Sequence, residues 1–270
     1  MSGKIAENYL LEVKTLNKVF EIRDAALRKR NIKAVDGVSF EIKNKETFAI
    51  VGESGSGKST IGRILLGLTD KTEGQIFFDG KPLQILNNKD SIPLRRRLQI
   101  VFQDPPSSFD PRMSILDSLF EFLDLRQGIN NDDKFRLAKE LVLEVGLDPE
   151  MVYRKPSEMS GGQLQRLNIA RALASSPDLI FLDEPTSSLD VSIRGQIVNL
   201  LLEKQEKYGI TFLLVAHDLR VVAVMADRVA VMYLGQFVEI CDKDKIFSNP
   251  LHPYTRGLIQ AARIDDLGLI

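Results

Sequence analysis

The sequence is poor in the residues that build cross-links and metal centres. Its 270 residues include one cysteine, Cys241, two histidines and no tryptophan. A single cysteine excludes an internal disulfide and a cysteine-rich zinc or iron-sulfur centre supplied by this chain alone, and it favours a reducing compartment. We therefore expect neither cross-link nor metal cluster to hold this fold together.

Long apolar runs and an excess of charge of one sign are missing as well. No stretch approaches the roughly 18 apolar residues of a spanning helix, and the first residues lack the apolar core of a secretion signal. The 36 Lys and Arg residues against 37 Asp and Glu residues leave a net charge of -1, so no basic excess indicates nucleic acid or an anionic membrane. We expect a chain that does not cross or leave a membrane by itself.

Enough apolar sequence is present for a sizeable core. Hydrophobic residues make up 44% of the chain and charged residues 27%, which is typical of a globular protein. The first third is predicted to be mostly strand, at residues 9–20, 35–42 and 46–51, followed by a hairpin that turns at Asp79-Gly80. The basic segment between Phe20 and Val35 is interpreted as a solvated loop.

The remaining two thirds change pattern twice. Residues 114–146 have apolar residues at helical spacing with a polar gap at 128–133, and they predict a helical subdomain over about 104–175. Strands predicted at 179–182 and 210–216 then alternate with helices, which favours a parallel sheet covered on both faces. A last strand pair surrounds Gly235, and a tail of about 243–270 follows.

One segment matches the eight-position pattern of a phosphate-binding P-loop between a strand and a helix. It reads Gly52-Glu53-Ser54-Gly55-Ser56-Gly57-Lys58-Ser59 and continues into Thr60. Glycines let successive amides point inward, the following helix presents its positive end, Lys58 can reach β and γ phosphates, and Ser59 can ligate Mg²⁺. We predict a nucleotide site here rather than a ligand-free Gly/Ser-rich turn.

Three further strands are predicted to end in polar residues at the edge where open α/β sheets bind ligands. Asp183 and Glu184 follow an apolar strand, so that Asp183 could hold Mg²⁺ through its water shell and Glu184 could deprotonate an attacking water. His217 could reach the γ phosphate, or it could merely cap the next helix. Gln103 could contact Mg²⁺ or water, and its neighbours are predicted to form a hinge.

A second anion-binding helix end is predicted at Ser160-Gly161-Gly162-Gln163. Ser160 is a sound N-cap, and two glycines leave the helix amides bare for close approach by an anion. Taken alone, the segment is also explained by a glycine-rich cap at a loop.

In order along nearly the whole chain, these motifs resemble those of the ATP-binding subunit of ABC transporters. The resemblance implies an α/β fold with a P-loop ATPase core and parallel sheet, an N-terminal antiparallel β subdomain and a helical subdomain. It assigns Asp183 to the metal, Glu184 to the catalytic base, His217 to the switch histidine and Asp190 to the D-loop. Phe20 stands where an aromatic residue, usually Tyr, stacks on adenine, and Met159 replaces the usual Leu before Ser160.

The resemblance also implies cofactors and partners. ATP and Mg²⁺ are expected, with two such subunits stacked head to tail so that Ser160–Gln163 of one closes on ATP held by the other. Closure would drive a membrane permease, and an extracytoplasmic solute-binding protein would act indirectly. The subunit is expected at the cytoplasmic face of the membrane, peripheral to it, without a nucleic acid partner.

Two segments resemble the oligopeptide, dipeptide and nickel importers, especially the second of their two ATPase subunits. They are residues 102–112 and 249–255. Because the chain has one cysteine, no cluster is expected of the kind that some relatives carry in a C-terminal extension. Alternatives are a soluble ABC-type ATPase acting on nucleic acid or ribosomes, a P-loop phosphotransferase, and a module that senses ATP without cleaving it.

Overall fold

The computed structural model describes residues 9–23, 29–84, 91–124 and 128–262. The chain forms two compact units. We call Met1–Ile85 together with Leu214–Ile270 the first unit, and Leu86–Leu213 the second unit. Among the described residues, no helix combines the length and apolar character needed to cross a bilayer.

The first unit holds most of the strands. They are β1 (Tyr9–Arg23), β2 (Lys29–Lys43), β3 (Thr47–Val51), β4 (Glu73–Phe78), β5 (Lys81–Pro82), β9 (Arg228–Tyr233) and β10 (Gln236–Asp242). Its helices are α1 (Lys58–Leu65), α7 (Leu219–Met225), α8 (Lys243–Ser248) and α9 (Pro253–Ala261).

The second unit holds most of the helical residues. Its elements are α2 (Ile92–Arg97), β6 (Leu98–Val101), α3 (Ile115–Leu123), α4 (Asn131–Glu144), α5 (Gly161–Ala174), β7 (Leu179–Asp183) and α6 (Val191–Tyr208). Short 3₁₀ turns cover Pro106–Ser108, Pro149–Tyr153 and Pro156–Glu158. Strand β8 (Thr211–Val215) runs from the second unit into the first.

An antiparallel sheet with strand order β2-β1-β4-β5 opens the first unit. Leu11 and Val13 of β1 are buried and lie opposite Phe78 and Ile76 of β4. The Asp79-Gly80 turn between β4 and β5 has positive φ at both residues, 52° and 70°, as this dipeptide predicts. The predicted antiparallel β subdomain is confirmed.

The interpretation of residues 21–34 as a solvated loop is wrong wherever the structure describes them. Strand β1 continues to Arg23 and β2 begins at Lys29, with Phe20 opposite Ile32 and Val19 opposite Lys33. Backbone pairing between the two strands stabilises this ribbon, although Ile32 and Lys33 are exposed. Sequence analysis missed it because exposure on both faces removes the alternation of apolar and polar residues that identifies a strand.

Parallel strands in the first unit place two chain segments at one edge. Strand β3 is buried throughout and pairs in parallel with β9, which pairs antiparallel with β10. A continuous apolar run is typical of a parallel strand covered on both faces. Beyond the end of β8, the Ala216 amide donates to the Ile50 carbonyl of β3 at 3.3 Å. Segments that follow β3 and β8 therefore start side by side.

Parallel pairing recurs in the second unit between β6 and β7. All residues of β7 are buried, and the Thr211 amide of β8 donates to the Asp178 carbonyl just before β7 at 2.9 Å. Gln103 follows β6 and Asp183 ends β7. Because the carboxyl ends of parallel strands meet at the same edge, both residues lie at that edge of the sheet.

Capping fixes the helices of the second unit. The Ser114 hydroxyl accepts from the Asp117 amide at the start of α3, and the Asn130 side chain accepts from the Asp133 amide at the start of α4. The predicted polar gap at 128–133 is therefore too long, because Asn130 starts the second helix inside it. The bounds proposed for the helical subdomain, about 104–175, stay a prediction.

Candidate nucleotide site

Close backbone contacts within the first unit shape the predicted P-loop. Gly52 has φ 148°, and a Cβ there would meet the Met232 carbonyl oxygen at 2.1 Å. Gly57 has φ 110°, and a Cβ there would meet the Ala34 carbonyl oxygen at 2.0 Å. Only glycine fits either position, since other residues would combine a strained φ with overlap onto backbone atoms. Sequence analysis identified both glycines but neither neighbour, for which the chain carries no local signal.

Polar groups inside the loop fit a polyphosphate. Lys58 is 5% exposed, and its Nζ donates to the carbonyls of Gly52 and Glu53 at 2.8 and 2.7 Å. The Ser56 hydroxyl is buried without a hydrogen-bond partner, and a buried orphan polar group calls for a ligand or another explanation. Gly55 has open space where a Cβ would stand, so an anion could approach its backbone closely.

The remaining P-loop residues begin helix α1. Ser59 and Thr60 are half-buried, and the Thr60 amide donates to the Gly57 carbonyl at 3.1 Å. Glu53 and Ser54 are exposed. The helix therefore starts at the loop, as a P-loop requires.

Two other predicted site residues belong to the first unit. His217 is exposed and directly follows the Ala216 amide that is bonded to β3. It does not cap α7: the N-cap is Asp218, whose side chain accepts from the Arg220 amide at 3.0 Å. Phe20 is 39% exposed, and the Lys18 ammonium lies 4.7 Å from its ring centroid. An exposed aromatic face is suited to stacking, although no described contact ties Phe20 to the P-loop.

In the second unit, the predicted metal residue, base and glutamine lie at one strand edge. Asp183 ends β7 and is 6% exposed. The Gln103 Nε2 donates to Glu184 Oε2 at 3.1 Å, and the Ser188 hydroxyl donates to the Gln103 carbonyl at 3.3 Å. The structure thus brings Gln103 and Glu184 together, as their positions after neighbouring strands predict.

Glu184 itself occupies a strained turn. Its φ is 47°, a left-handed conformation that is uncommon for a residue other than glycine. The Glu184 carbonyl accepts from the Ser187 amide and hydroxyl at 3.2 and 3.1 Å, and the Gln165 side chain of α5 donates to the Pro185 carbonyl at 2.7 Å. Strain of this kind persists only where the surroundings enforce it, and it concentrates at functional sites. Sequence analysis did not identify Gln165, whose hydrogen bond to Pro185 stabilises this turn from α5.

Helix α5 begins with the cap that the sequence predicts. The Ser160 hydroxyl accepts from the Gln163 amide at 3.3 Å, and the Ser160 amide donates to Gln163 Oε1 at 2.9 Å. Gly161 is exposed with open space around it, whereas a Cβ on Gly162 would meet the Ile193 side chain at 3.0 Å. An anion could therefore approach at Gly161, and the lack of a side chain at Gly162 lets Ile193 of α6 pack closely. Asp190, the N-cap residue of α6, is exposed and makes no side-chain capping bond.

The segment after Gln103 packs on α5. The guanidinium of Arg171 lies 4.5 Å from the Phe109 ring centroid and 5.0 Å from that of Phe122, and it donates to the Ser108 carbonyl. Burial lowers the pKa of Arg171 to about 10, so it stays charged at neutral pH. The hinge predicted around Gln103 stays a prediction. The contacts of Arg171 with Ser108 and Phe109 show where the segment after Gln103 packs on α5.

Two family models match the chain. The first, described as "ABC transporter", matches residues 35–187, and the second, described as "Oligopeptide/dipeptide transporter, C-terminal region", matches residues 238–266. The first spans every proposed site residue except Phe20, Asp190 and His217. The second covers most of β10 and the C-terminal helices.

Curated relatives agree with both matches. The oligopeptide transport ATP-binding protein AppF of Bacillus subtilis (strain 168) is 44% identical over 258 residues, which cover 94% of this chain and 78% of AppF. The glutathione import ATP-binding protein GsiA of Escherichia coli (strain K12) is 47% identical over 257 residues, or 94% of this chain and 41% of GsiA. These matches favour the importer interpretation and lend no support to an ATPase acting on nucleic acid or ribosomes.

Solved structures share the fold. The dimeric ATP-binding cassette MJ0796 in a post-hydrolysis state with ADP and Pi superposes with a TM-score of 0.77 at 29% identity, over 86% of this chain and 98% of that one. The cassette cbiO1 from Clostridium perfringens gives a TM-score of 0.75 at 28% identity, over 97% of this chain and 98% of its own. The predicted fold class is confirmed, and the chain belongs to the ATP-binding, ATP-hydrolysing subunits of ABC transporters, with the C-terminal region of the oligopeptide/dipeptide type.

Proposed function

We propose that this chain powers the uptake of peptides or related solutes, nickel included, as a peripheral subunit at the cytoplasmic face of the membrane. The C-terminal match and the relatives named for oligopeptide transport and glutathione import support this cargo class. For the chemistry, the observation that carries the proposal is the hydrogen bond from Gln103 to the carboxylate of Glu184.

ATP would bind first through the P-loop. Its amides and the orphan Ser56 hydroxyl offer donors to phosphate oxygens. Lys58 already points its ammonium at loop carbonyls, and we propose that it exchanges these for the β and γ phosphates, where a charged donor bonds more strongly. Phe20 would stack on the adenine through its exposed ring.

Magnesium would be held by oxygen ligands only. Ser59, Gln103 and Asp183 offer a hydroxyl, an amide and a carboxylate oxygen, the hard donors that Mg²⁺ takes together with water and phosphate. When bound, Mg²⁺ neutralises charge on the phosphate oxygens. Among the described residues, no cluster of three or more His, Cys, Asp or Glu side chains could hold a metal. We propose that phosphate and water complete the shell around Mg²⁺.

Glu184 would act as the general base. Its carboxylate would accept a proton from the water that attacks the γ phosphorus, while the Gln103 amide orients that carboxylate. His217 would donate a hydrogen bond to the γ phosphate. The hydrogen bond from Gln103 would hold the carboxylate in place before ATP arrives, and fixed geometry of this kind accelerates reactions.

Two copies of the fold would complete the site. We propose that Ser160, Gly161, Gly162 and Gln163 of one subunit close on the γ phosphate bound to its partner, with Asp190 beside them. Gly161 is exposed at the start of α5, where backbone amides can bind an anion. ATP favours the closed state and its hydrolysis releases it, so the difference in affinity is available for work on a permease.

Replacement of Glu184 by Gln tests the catalytic proposal. The Glu184→Gln chain should bind ATP and hydrolyse it roughly 10²- to 10⁴-fold more slowly, because a positioned base is lost. Phosphate release from the full chain measures the rate, and calorimetry measures ATP binding. Glu140→Gln, an exposed carboxylate on α4, is the matched control and should retain the wild-type rate. Turnover by Glu184→Gln at the wild-type rate would remove Glu184 from the mechanism.

A further inference from the structure

One tyrosine joins the C-terminal region to the phosphate-binding loop. The Glu53 amide donates a hydrogen bond to the Tyr254 hydroxyl at 3.1 Å, across 201 positions of sequence. Both residues belong to the first unit. Glu53 is the second residue of the P-loop, so this bond acts on the turn through which the chain leaves β3.

The backbone of Tyr254 is fixed by its own neighbours. His252 caps α9, with Nδ1 accepting from the Tyr254 amide at 3.2 Å, and Pro253 is the first helical residue. The Glu239 carboxylate of β10 accepts from the amides of Leu251 and His252 at 2.9 and 3.0 Å. Burial alone would raise the pKa of Glu239, but these amides lower it on balance, so the anchor is ionised at neutral pH.

The ring of Tyr254 is held as firmly as its backbone. It packs on Tyr233 with ring centroids 4.4 Å apart and ring planes tilted by 40°. Tyr233 follows Met232, whose carbonyl lies against Gly52. The end of β9 therefore contacts Gly52, the first residue of the P-loop. Tyr254, which packs on Tyr233 at that same end, binds Glu53, the second residue of the P-loop.

The hydroxyl remains neutral in this position. Burial raises the pKa of Tyr254, so the phenol keeps its proton throughout the physiological range. A neutral hydroxyl can accept from the Glu53 amide without adding a negative charge beside a site for phosphate.

We propose that Tyr254 is a positioning residue that holds the first turn of the P-loop in its phosphate-binding shape. The inference rests on the proposed role of the P-loop. Tyr254 would raise nucleotide affinity without touching the nucleotide. The apparent affinity is proportional to the fraction of molecules whose site is already formed, and Tyr254 would increase that fraction. Through it, the position of the C-terminal region would influence how well the cassette holds ATP.

Tyr254→Phe tests this role in the full chain, because it removes the acceptor and keeps the ring. We expect dissociation constants for ATP and ADP, measured by calorimetry, to rise about 3- to 10-fold, the range for loss of one neutral hydrogen bond. KM for ATP should rise by the same factor while turnover at saturating ATP is retained. Hydrogen exchange at the Glu53 amide should accelerate in the nucleotide-free chain.

Tyr233→Phe is the matched control. It removes a hydroxyl from the partner ring, where that group makes no hydrogen bond to any described residue, and should leave affinity and Glu53 exchange unchanged. Tyr254→Phe could also lower the melting temperature, and hydrogen exchange at the buried amide of Val229 then separates global from local effects. Global destabilisation accelerates exchange at both Val229 and Glu53, whereas loss of a local contact accelerates exchange at Glu53 only.

Two outcomes would overturn the inference, and a third concerns the proposed function instead. Wild-type affinity in Tyr254→Phe, or unchanged exchange at Glu53, would remove Tyr254 from the positioning of the P-loop. Lys58→Ala should weaken ATP binding in either case, because charge compensation on the phosphates is lost. If Lys58→Ala bound ATP normally, the role proposed for the P-loop would itself be wrong.

Discussion

The two helix N-termini proposed to bind ATP, those of α1 and α5, are stabilised by different kinds of contact. The P-loop is shaped by residues far away in sequence, with the carbonyls of Ala34 and Met232 against Gly57 and Gly52 and the hydroxyl of Tyr254 on Glu53. The start of α5 is shaped by Ser160 and Gln163, three positions apart, which cap each other. One anion site therefore depends on the tertiary structure of the first unit, and the other on a single turn of helix.

Because of this difference, an added side-chain atom should be tolerated at the start of α5 but not in the P-loop. A methyl group at Gly52 would enter a neighbouring backbone, whereas a methyl group at Gly161 would enter open space. The same substitution at the two positions should consequently have opposite effects on folding, although both positions belong to proposed phosphate contacts.

Gly52→Ala should produce the largest effect on stability. The added Cβ meets the Met232 carbonyl at 2.1 Å and the backbone has φ 148°, so overpacking and strain together should destabilise the chain by about 2–6 kcal/mol. Urea unfolding measures the change, and nucleotide binding should be lost with it. A Gly52→Ala chain as stable as the wild type would show that the strand end does not constrain the loop.

Gly161→Ala should have a small effect on folding and a clear effect on hydrolysis. Alanine at the first helical position with open space around it should change the free energy of unfolding by less than about 1 kcal/mol, in the stabilising direction. Cooperative ATPase activity should nevertheless fall, because the methyl group covers the surface proposed to meet the partner's γ phosphate. Full activity would mean that Gly161 does not approach the nucleotide.

Local chemistry accounts for what the sequence predicts well. The N-cap at Ser160, the Asp79-Gly80 turn, the buried strand before Gly52 and the buried strand that ends at Asp183 are encoded within a few residues. The structure contains all of them. The strand ends also suffice to place Gln103 beside Glu184.

Long-range contacts account for what the sequence does not predict. Residues 21–23 pair with residues 29–31, and this strand structure depends on a partner strand rather than on apolar periodicity. Gln165 supports the turn at Pro185, and Tyr254 reaches Glu53, through side chains whose targets leave no trace in neighbouring sequence. Positive φ at Glu184 is likewise imposed by the turn around it, since no glycine marks the position.

The head-to-tail grip on ATP is tested most directly by the mass of the slow-hydrolysing chain in solution. Light scattering should show that ATP doubles the mass of Glu184→Gln, and that a second change, Ser160→Arg, prevents the doubling while calorimetry still detects ATP bound to the monomer. A doubled mass in the Glu184→Gln, Ser160→Arg chain would contradict the account, because the helix start at Ser160 would then have no part in holding the partner's ATP.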